Sequence, residues 1–191
     1  MTAAQICDYL WITFCLIWMI AALRTKPTQQ RADQAARLAY GIPALAAFLL
    51  MFVNSDAVPL FWLAGPMFRR NSVLAAIGVA LTAMGIAFAV WARAYIGRNW
   101  SSAVTIKVGH RLVRTGPYAW VRHPIYTGIL LGMLGTALVR RQPRGFIAFL
   151  LLWLAFLVKS RMEERFMRQA FGSEYEDYSH TTGALVPRIH F

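Results

Sequence analysis

Apolar residues in this chain gather in five long blocks instead of recurring at the three- and four-residue spacing of an amphipathic helix. The blocks run from Ile6 to Leu23, Leu38 to Val53, Val73 to Ala94, Ile125 to Val139 and Gly145 to Val158. The first three approach or reach the roughly 20 residues that a helix needs to cross a bilayer core. The last two are shorter, with only Arg140, Arg141, Gln142, Pro143 and Arg144 between them. That polar turn predicts a helical hairpin, which either snorkels its arginines to the far interface or stops short of a complete crossing. The first block is preceded by no Lys or Arg and contains Asp8, so it is read as a retained span rather than a secretory leader. The pattern predicts an all-α polytopic integral membrane protein with about five transmembrane helices. It is one domain over residues 1–191, with three spans in 1–94 and a more polar half in 95–191.

Composition agrees. Hydrophobic residues make up 58% of the 191 and charged residues 15%, against about 25% charged in soluble domains. The formal charge of +12 comes from 20 Lys and Arg against 8 Asp and Glu. In a soluble chain such a balance points to nucleic acid. Here the basic residues flank apolar blocks, so topology and anionic lipid account for them, and no nucleic-acid partner is expected. With five crossings and the N-terminus outside, every Lys and Arg except Arg69, Arg70, Arg140, Arg141 and Arg144 falls on the cytoplasmic side, together with the C-terminus.

Cys7 and Cys15 lie eight helical residues apart, roughly 12 Å, too far for a disulfide within one helix. They read as buried thiols. No Cys-His cluster exists, so no metal is expected.

Two polar regions share the cytoplasmic side. One runs from Tyr95 to His123 and contains Gly97, Gly109, Gly116 and Pro117. The other, Lys159 to Phe191, holds Glu163, Glu164, Glu174, Glu176 and Asp177, five of the eight acids, and predicts a polar helix after the fifth span. An acidic stretch facing a basic loop beside the membrane is what a closed polar pocket requires.

The run Gly109-His110-Arg111-Leu112-Val113-Arg114-Thr115-Gly116-Pro117-Tyr118-Ala119-Trp120-Val121-Arg122-His123-Pro124-Ile125-Tyr126-Thr127-Gly128 is followed by Glu163-Glu164, Phe171-Gly172, Tyr175, Tyr178 and Pro187. In order and spacing these residues resemble the isoprenylcysteine carboxyl methyltransferase family and the related membrane phospholipid N-methyltransferases. The resemblance covers roughly residues 95 to 191. It implies an S-adenosylmethionine site without a Rossmann sheet, between the segment before the fourth span and the polar helix after the fifth. Carried over, it makes His110, Arg111, Leu112, Val113, Tyr118, His123, Pro124, Tyr126 and Gly128 one wall of that site. Glu163 and Glu164 form the other. It also implies a substrate-orienting arginine just before the acids, a place for which Lys159 and Arg161 compete. The acceptor it implies is lipid-borne, either a prenylcysteine carboxylate or a phospholipid amine.

The chemistry of these residue types suits that cofactor. A glutamate accepts charge-assisted hydrogen bonds from an ammonium or from ribose hydroxyls. Tyrosine faces attract a sulfonium by about 0.5–2 kcal/mol. A carboxylate acceptor is already ionised near neutrality and needs no general base, so alignment and exclusion of water carry the reaction. An arginine can hold such an acceptor through a bidentate pair, and Arg93, Arg98 and Arg161 are the candidates. Plainer roles stand beside these. Pro124 suits the first position of a helix, and Tyr118, Trp120 and Tyr126 fit an interfacial aromatic belt. Arg111, Arg114 and Arg122 can bind lipid phosphates. Glu163 and Glu164 can be a solvated helix face paired with Lys159 or Arg168. Gly128, Gly132 and Gly135 suit close helix packing. A non-catalytic lipid-binding protein that has kept the framework is the reading from another class.

Overall fold

The computed structural model describes residues 1–23, 28–31, 34–53, 63, 65–97, 105–107 and 112–188, with 28–31 and 105–107 described by their backbone alone. The expected site residues Arg98, His110 and Arg111, and the expected cytoplasmic Arg24 and Lys26, lie outside the described residues. The helices are α1 (Ala3–Ala22), α2 (Gln34–Phe52), α3 (Ser72–Ile96), α4 (Pro124–Arg140), α5 (Pro143–Phe171) and α6 (Ser173–Thr181). By length and composition α1, α2, α3 and α5 can each cross a membrane, and α4 is a shorter apolar helix. The chain is an all-helical polytopic membrane protein with the expected hairpin at α4 and α5.

Local chemistry sets the helix ends. Thr2 and Gln5 form a capping box that starts α1, and the Asn71 side chain accepts from Leu74 N at the start of α3. Pro124 and Pro143 each stand in the first turn of their helices, where a missing N–H costs nothing. Arg141 closes α4 in the left-handed region, at φ 58°, and its N–H bonds Ala137 O.

The hairpin arginines do more than snorkel. Arg140 Nη2 donates to Asp8 Oδ1 at the start of α1 (2.5 Å), and Arg144 Nη1 donates to Val53 O just past α2 (2.6 Å). Arg141 Nη1 donates to Phe68 O ahead of α3 (2.9 Å). At the opposite end Arg93 Nη2 of α3 donates to Ala21 O of α1 (2.7 Å), and the Tyr95 and Thr115 hydroxyls bond at 2.7 Å. The five long helices therefore alternate in direction, and α4 runs the whole length of the bundle beside the others. Its 17 residues rise about 26 Å.

α4 is the central helix, buried at eleven of its positions, from Pro124 to Val139. Glycines let α3 approach it backbone to backbone: Gly85 lies against Gly128 and Gly132, and Gly78 against Gly135. Between them a buried polar node holds three helices. Trp11 Nε1 donates to Thr136 Oγ1 (2.9 Å), Thr136 and Thr82 hydroxyls lie 3.3 Å apart, and each donates to a carbonyl of its own helix, Gly132 O and Gly78 O. Buried hydroxyls bonded in this way cost little in lipid and give the helices a fixed register.

Two expectations need correction, and one pairing was not foreseen. The fifth span and the polar helix behind it are one helix, because no breaker occurs between Val158 and Phe171. The first is Gly172, at φ 52°. At 29 residues α5 is about 44 Å long, well beyond the ~30 Å of a bilayer core, and Glu163 and Glu164 stand on the polar end of this continuous rod, about 30 Å from its start. The loops after α1 and α3 also pair as a two-stranded antiparallel ribbon, β1 (Thr28–Arg31) with β2 (Thr105–Lys107), at the same end of the bundle. Finally, Cys7 is buried against Thr82 but Cys15 is exposed on the outer face of α1.

Candidate active site

The site lies where α4 begins, against the projecting part of α5. A 3-10 turn at Gly116–Ala119 brings the chain across the end of α3, with the buried Tyr118 hydroxyl 3.5 Å from Ala92 O. Five residues after Ala119, Pro124 starts α4, which places His123 at its N-cap and Tyr126 in its first turn. On α5, Glu163 and Glu164 are consecutive, so their side chains diverge by about 100° around the helix. The consequence is a division of partners.

Glu163 faces the start of α4. Tyr126 OH donates to Glu163 Oε1 at 2.6 Å, and His123 Nδ1 lies 3.4 Å from Glu163 Oε2. Glu164 is buried in a denser ionic cluster. Arg122 donates to its Oε1 through Nε (3.0 Å) and Nη2 (2.7 Å), His123 Nε2 lies 3.2 Å from the same oxygen, and Arg168 Nη2 reaches Oε2 at 3.5 Å. The Tyr126 ring stacks on His123 on one side (centroids 5.5 Å apart) and on Phe156 of α5 (4.5 Å). Lys159, one turn before Glu163, holds its ammonium 5.2 Å from the Tyr126 centroid and 5.2 Å from that of Tyr40 in α2. The result is a pair of acids, one saturated by fixed cations, beside aromatic faces that already attract a cation.

Both ring nitrogens of His123 face carboxylates, which only the imidazolium can satisfy with two N–H donors. Burial by itself lowers its pKa. The hydrogen bonds that its ring donates to Glu163 and Glu164, and the charges of those acids, outweigh it, and the pKa stands above the ordinary histidine value. A raised folded-state pKa stabilises the fold fully below the unfolded value, about 6.5, and this contribution is lost as pH rises through the folded value. The melting temperature in detergent should therefore fall as pH rises above about 6.5, and the fall should be absent in His123→Gln. Equal slopes for the two proteins would remove the imidazolium from the site.

Behind the cluster stands α6. Burial pushes the Tyr178 phenol up to about 12, so it stays protonated and donates to Tyr118 O (2.5 Å). Tyr175 is buried against Arg168, 6.0 Å from the guanidinium. Both tyrosines pack the tail against the loop. Arg114 instead pairs with Glu174 on the surface. Trp120 stacks with Phe88 and meets Trp91 on an exposed face, as an interfacial belt does.

The structure brings together His123, Pro124, Tyr126, Glu163 and Glu164 from the expected set, with Tyr118 beside them. Leu112 and Val113 are half-buried, and Val113 packs on the core. Gly128 faces α3: a Cβ there would meet Gly85 O at 2.5 Å and Ala89 N at 2.7 Å, so its place is taken by helix packing. Two of the expected acceptor-holding arginines stand away from the cluster. Arg93 is buried at the junction of α1 and α3, donating to Ala21 O and Gly97 O, and Arg161 is exposed. Sequence reasoning missed Arg122, taken for a lipid-binding charge. It also missed Tyr40, since the first 90 residues were read as spans alone. The adjacency of Arg122 to His123 signalled the first; nothing in the sequence signalled the second.

The model of the phospholipid methyltransferase family matches residues 73–174, a stretch that holds α3, α4, α5 and the whole acid–histidine–tyrosine cluster. Among curated proteins, the protein-S-isoprenylcysteine O-methyltransferase of Saccharomyces cerevisiae is 35% identical over 49% of this chain and 40% of its own length. A probable protein-S-isoprenylcysteine O-methyltransferase of Oryza sativa subsp. indica is 31% identical over 65% of this chain and 66% of its own. This chain thus spans less than two thirds of the length of these relatives. A solved structure of the eukaryotic intramembrane Ras methyltransferase ICMT (isoprenylcysteine carboxyl methyltransferase) shares the fold, with a TM-score of 0.54 at 24% identity, covering 83% of this chain and 55% of that one.

Proposed function

This chain belongs to the phospholipid methyltransferase family, and from that premise we propose that it transfers a methyl group from S-adenosylmethionine to a lipid-borne acceptor at the membrane surface. The observation that carries the reading is the contact of Glu163 with His123 and Tyr126, which closes the start of α4 on α5.

The donor set suits the cofactor's charges. S-adenosylmethionine, when bound, supplies a methyl group on a sulfonium, a good leaving group that needs no acid to depart. Glu163 would accept from its ammonium or ribose hydroxyls, because Glu163 is the acid held by an uncharged phenol and an imidazolium edge rather than by arginines. The Tyr126 ring is stacked on His123 and Phe156, so its part in the site is to fix Glu163 through the phenol. Glu164 is neutralised by Arg122, His123 and Arg168 and serves to hold those groups in place.

The acceptor we favour is a prenylcysteine carboxylate, the substrate class in the names of the curated relatives. Such an acceptor carries a long apolar tail, which explains why the enzyme is a bundle of spans with its polar site at one end. Lys159, whose ammonium lies 5.2 Å from the Tyr126 centroid, would hold the carboxylate, while α4 and α5 would exclude water from the reacting atoms. The family's description favours a second acceptor, a phospholipid amine. That reaction requires a neutral amine and rises with pH around neutrality. The active site and C-terminus are assigned to the cytoplasmic side, where the basic flanks fall.

The test is calorimetric titration of the purified protein with S-adenosylhomocysteine. Saturable heat with a thermal shift is expected; neither one at millimolar ligand overturns the cofactor assignment. Transfer of labelled methyl groups to membrane extracts, followed by base, separates the acceptors, since a carboxyl ester releases volatile methanol and an N-methyl group does not.

A further inference from the structure

We propose that the segment Thr182–Leu185 is a strap that positions the site through Arg122, a role that rests on the reading of the cluster as a cofactor site. After α6 the chain turns back and runs parallel to the residues that lead into α4, with Val121 bridged to Gly183. Arg122 N donates to Gly183 O (2.8 Å), His123 N donates to Ala184 O (3.0 Å), and Thr127 Oγ1 donates to Leu185 O (2.7 Å). Leu185 is buried in the main core beside Tyr118 and Ile125. The backbone of His123 is therefore fixed by a residue 61 positions later in the chain, Ala184.

The Arg122 side chain joins the same strap to the acids. Nη1 donates to Ser179 O (3.0 Å) and to Thr182 O, while Nε and Nη2 hold Glu164. One planar guanidinium thus reads the end of α6 with one edge and the α5 acid with the other, a geometry that lysine, a point charge, cannot reproduce. Glu164 in turn holds His123 Nε2, and His123 Nδ1 meets Glu163. The path from strap to Glu163 is continuous: carbonyls of 179 and 182, Arg122, Glu164, His123, Glu163. Arg122 is a positioning residue on this path, since it touches neither Glu163 nor Tyr126.

Gly183 offers an independent handle. A Cβ at this position would run into Val186 O and come within 3.0 Å of Arg188 N, both backbone atoms. Gly183→Ala should displace the strap without touching any residue assigned to the cofactor.

The experiment titrates S-adenosylhomocysteine into the full-length wild type, Arg122→Ala, Arg122→Lys, Gly183→Ala, Thr127→Val and the double variant Arg122→Ala/Gly183→Ala, at a temperature where each is folded. Arg122→Ala should raise Kd by about tenfold, the low end of what losing an outer-shell partner costs at metal sites. Gly183→Ala and Thr127→Val should each raise it by a smaller factor, and Arg122→Lys should recover part of the loss. The double variant should bind no more weakly than Arg122→Ala, because both changes break one path. A merely structural strap would lower melting temperatures and leave the Kd of the folded protein unchanged. Should Arg122→Ala fail to fold, Gly183→Ala and Thr127→Val decide by the same reading. Unchanged Kd in the folded variants, with a wild type that binds, overturns the strap alone. A wild type that does not bind overturns the cofactor reading and the strap with it.

Discussion

Glu163→Gln is expected to lower affinity for S-adenosylhomocysteine by about 10- to 100-fold, the loss of one or two charge-assisted hydrogen bonds at about 1.5–3 kcal/mol, while the protein stays folded. The amide keeps the shape of the carboxyl group. Its carbonyl oxygen still accepts from Tyr126 OH, now at 2.6 Å from Oε1, while the amide nitrogen takes the place of Oε2 and no longer accepts from His123 Nδ1. What it loses is the negative charge that faces a cationic ligand. The neighbouring change should behave in the opposite way. Glu164 is 7% exposed and balances Arg122 and His123. Glu164→Gln leaves a buried guanidinium and an imidazolium uncompensated, and breaking a buried pair from one side costs about 3–5 kcal/mol. Two adjacent, identical substitutions should thus separate cleanly, one in binding and the other in the melting temperature of the ligand-free protein. Equal behaviour of the two in both measurements would contradict the division of roles between the acids.

That division was beyond what the sequence discloses. Block lengths predicted the helices, because a bilayer fixes how many apolar residues a span needs, and the order of His123, Tyr126 and Glu163 was enough to predict their meeting. Three things were hidden. Where α5 ends depends on the first residue able to break it, Gly172, and apolar counting stopped at Val158, where the membrane stops rather than the helix. Which acid faces which partner follows from the rotation of α5 about its axis, set by packing along α2 and α4. Which cation stands at the site follows from the same rotation: it turns Lys159 toward Tyr126 and Arg161 outward, whereas in sequence they are two equivalent positive charges. Positive charges at the hairpin were legible as an end of the bundle, but not as donors to Asp8, Val53 and Phe68, since those partners lie 73 to 132 positions away.

Gly85→Val should be the most damaging single change to the fold. At Gly85 a Cβ would collide with Gly128 O and Gly132 N, and at Gly128 with Gly85 O and Ala89 N. Backbone stands on both sides of this contact, so no side chain can swing away, and the helices themselves must separate. Overfilling a packed core costs about 1–3 kcal/mol and sometimes more, and a branched residue against main chain belongs at the upper end. The separation also breaks the Thr82–Thr136 contact one to two turns away, although each hydroxyl keeps the carbonyl of its own helix. Because α4 carries His123 and Tyr126 at its end, the loss should extend to ligand binding in whatever folded protein remains. A graded series tests the cause. Gly41→Ala, with nothing within 4 Å, should leave the melting temperature unchanged or raise it, since alanine favours a helix over glycine by about 1 kcal/mol. Gly132→Ala, which meets the Trp11 ring at 3.1 Å and Thr82 O only at an ordinary 3.6 Å, should fall between, because a ring can shift where a backbone cannot. If Gly85→Val melts with the wild type, α3 and α4 are not in backbone contact, and the placement of the site at the head of α4 loses its support.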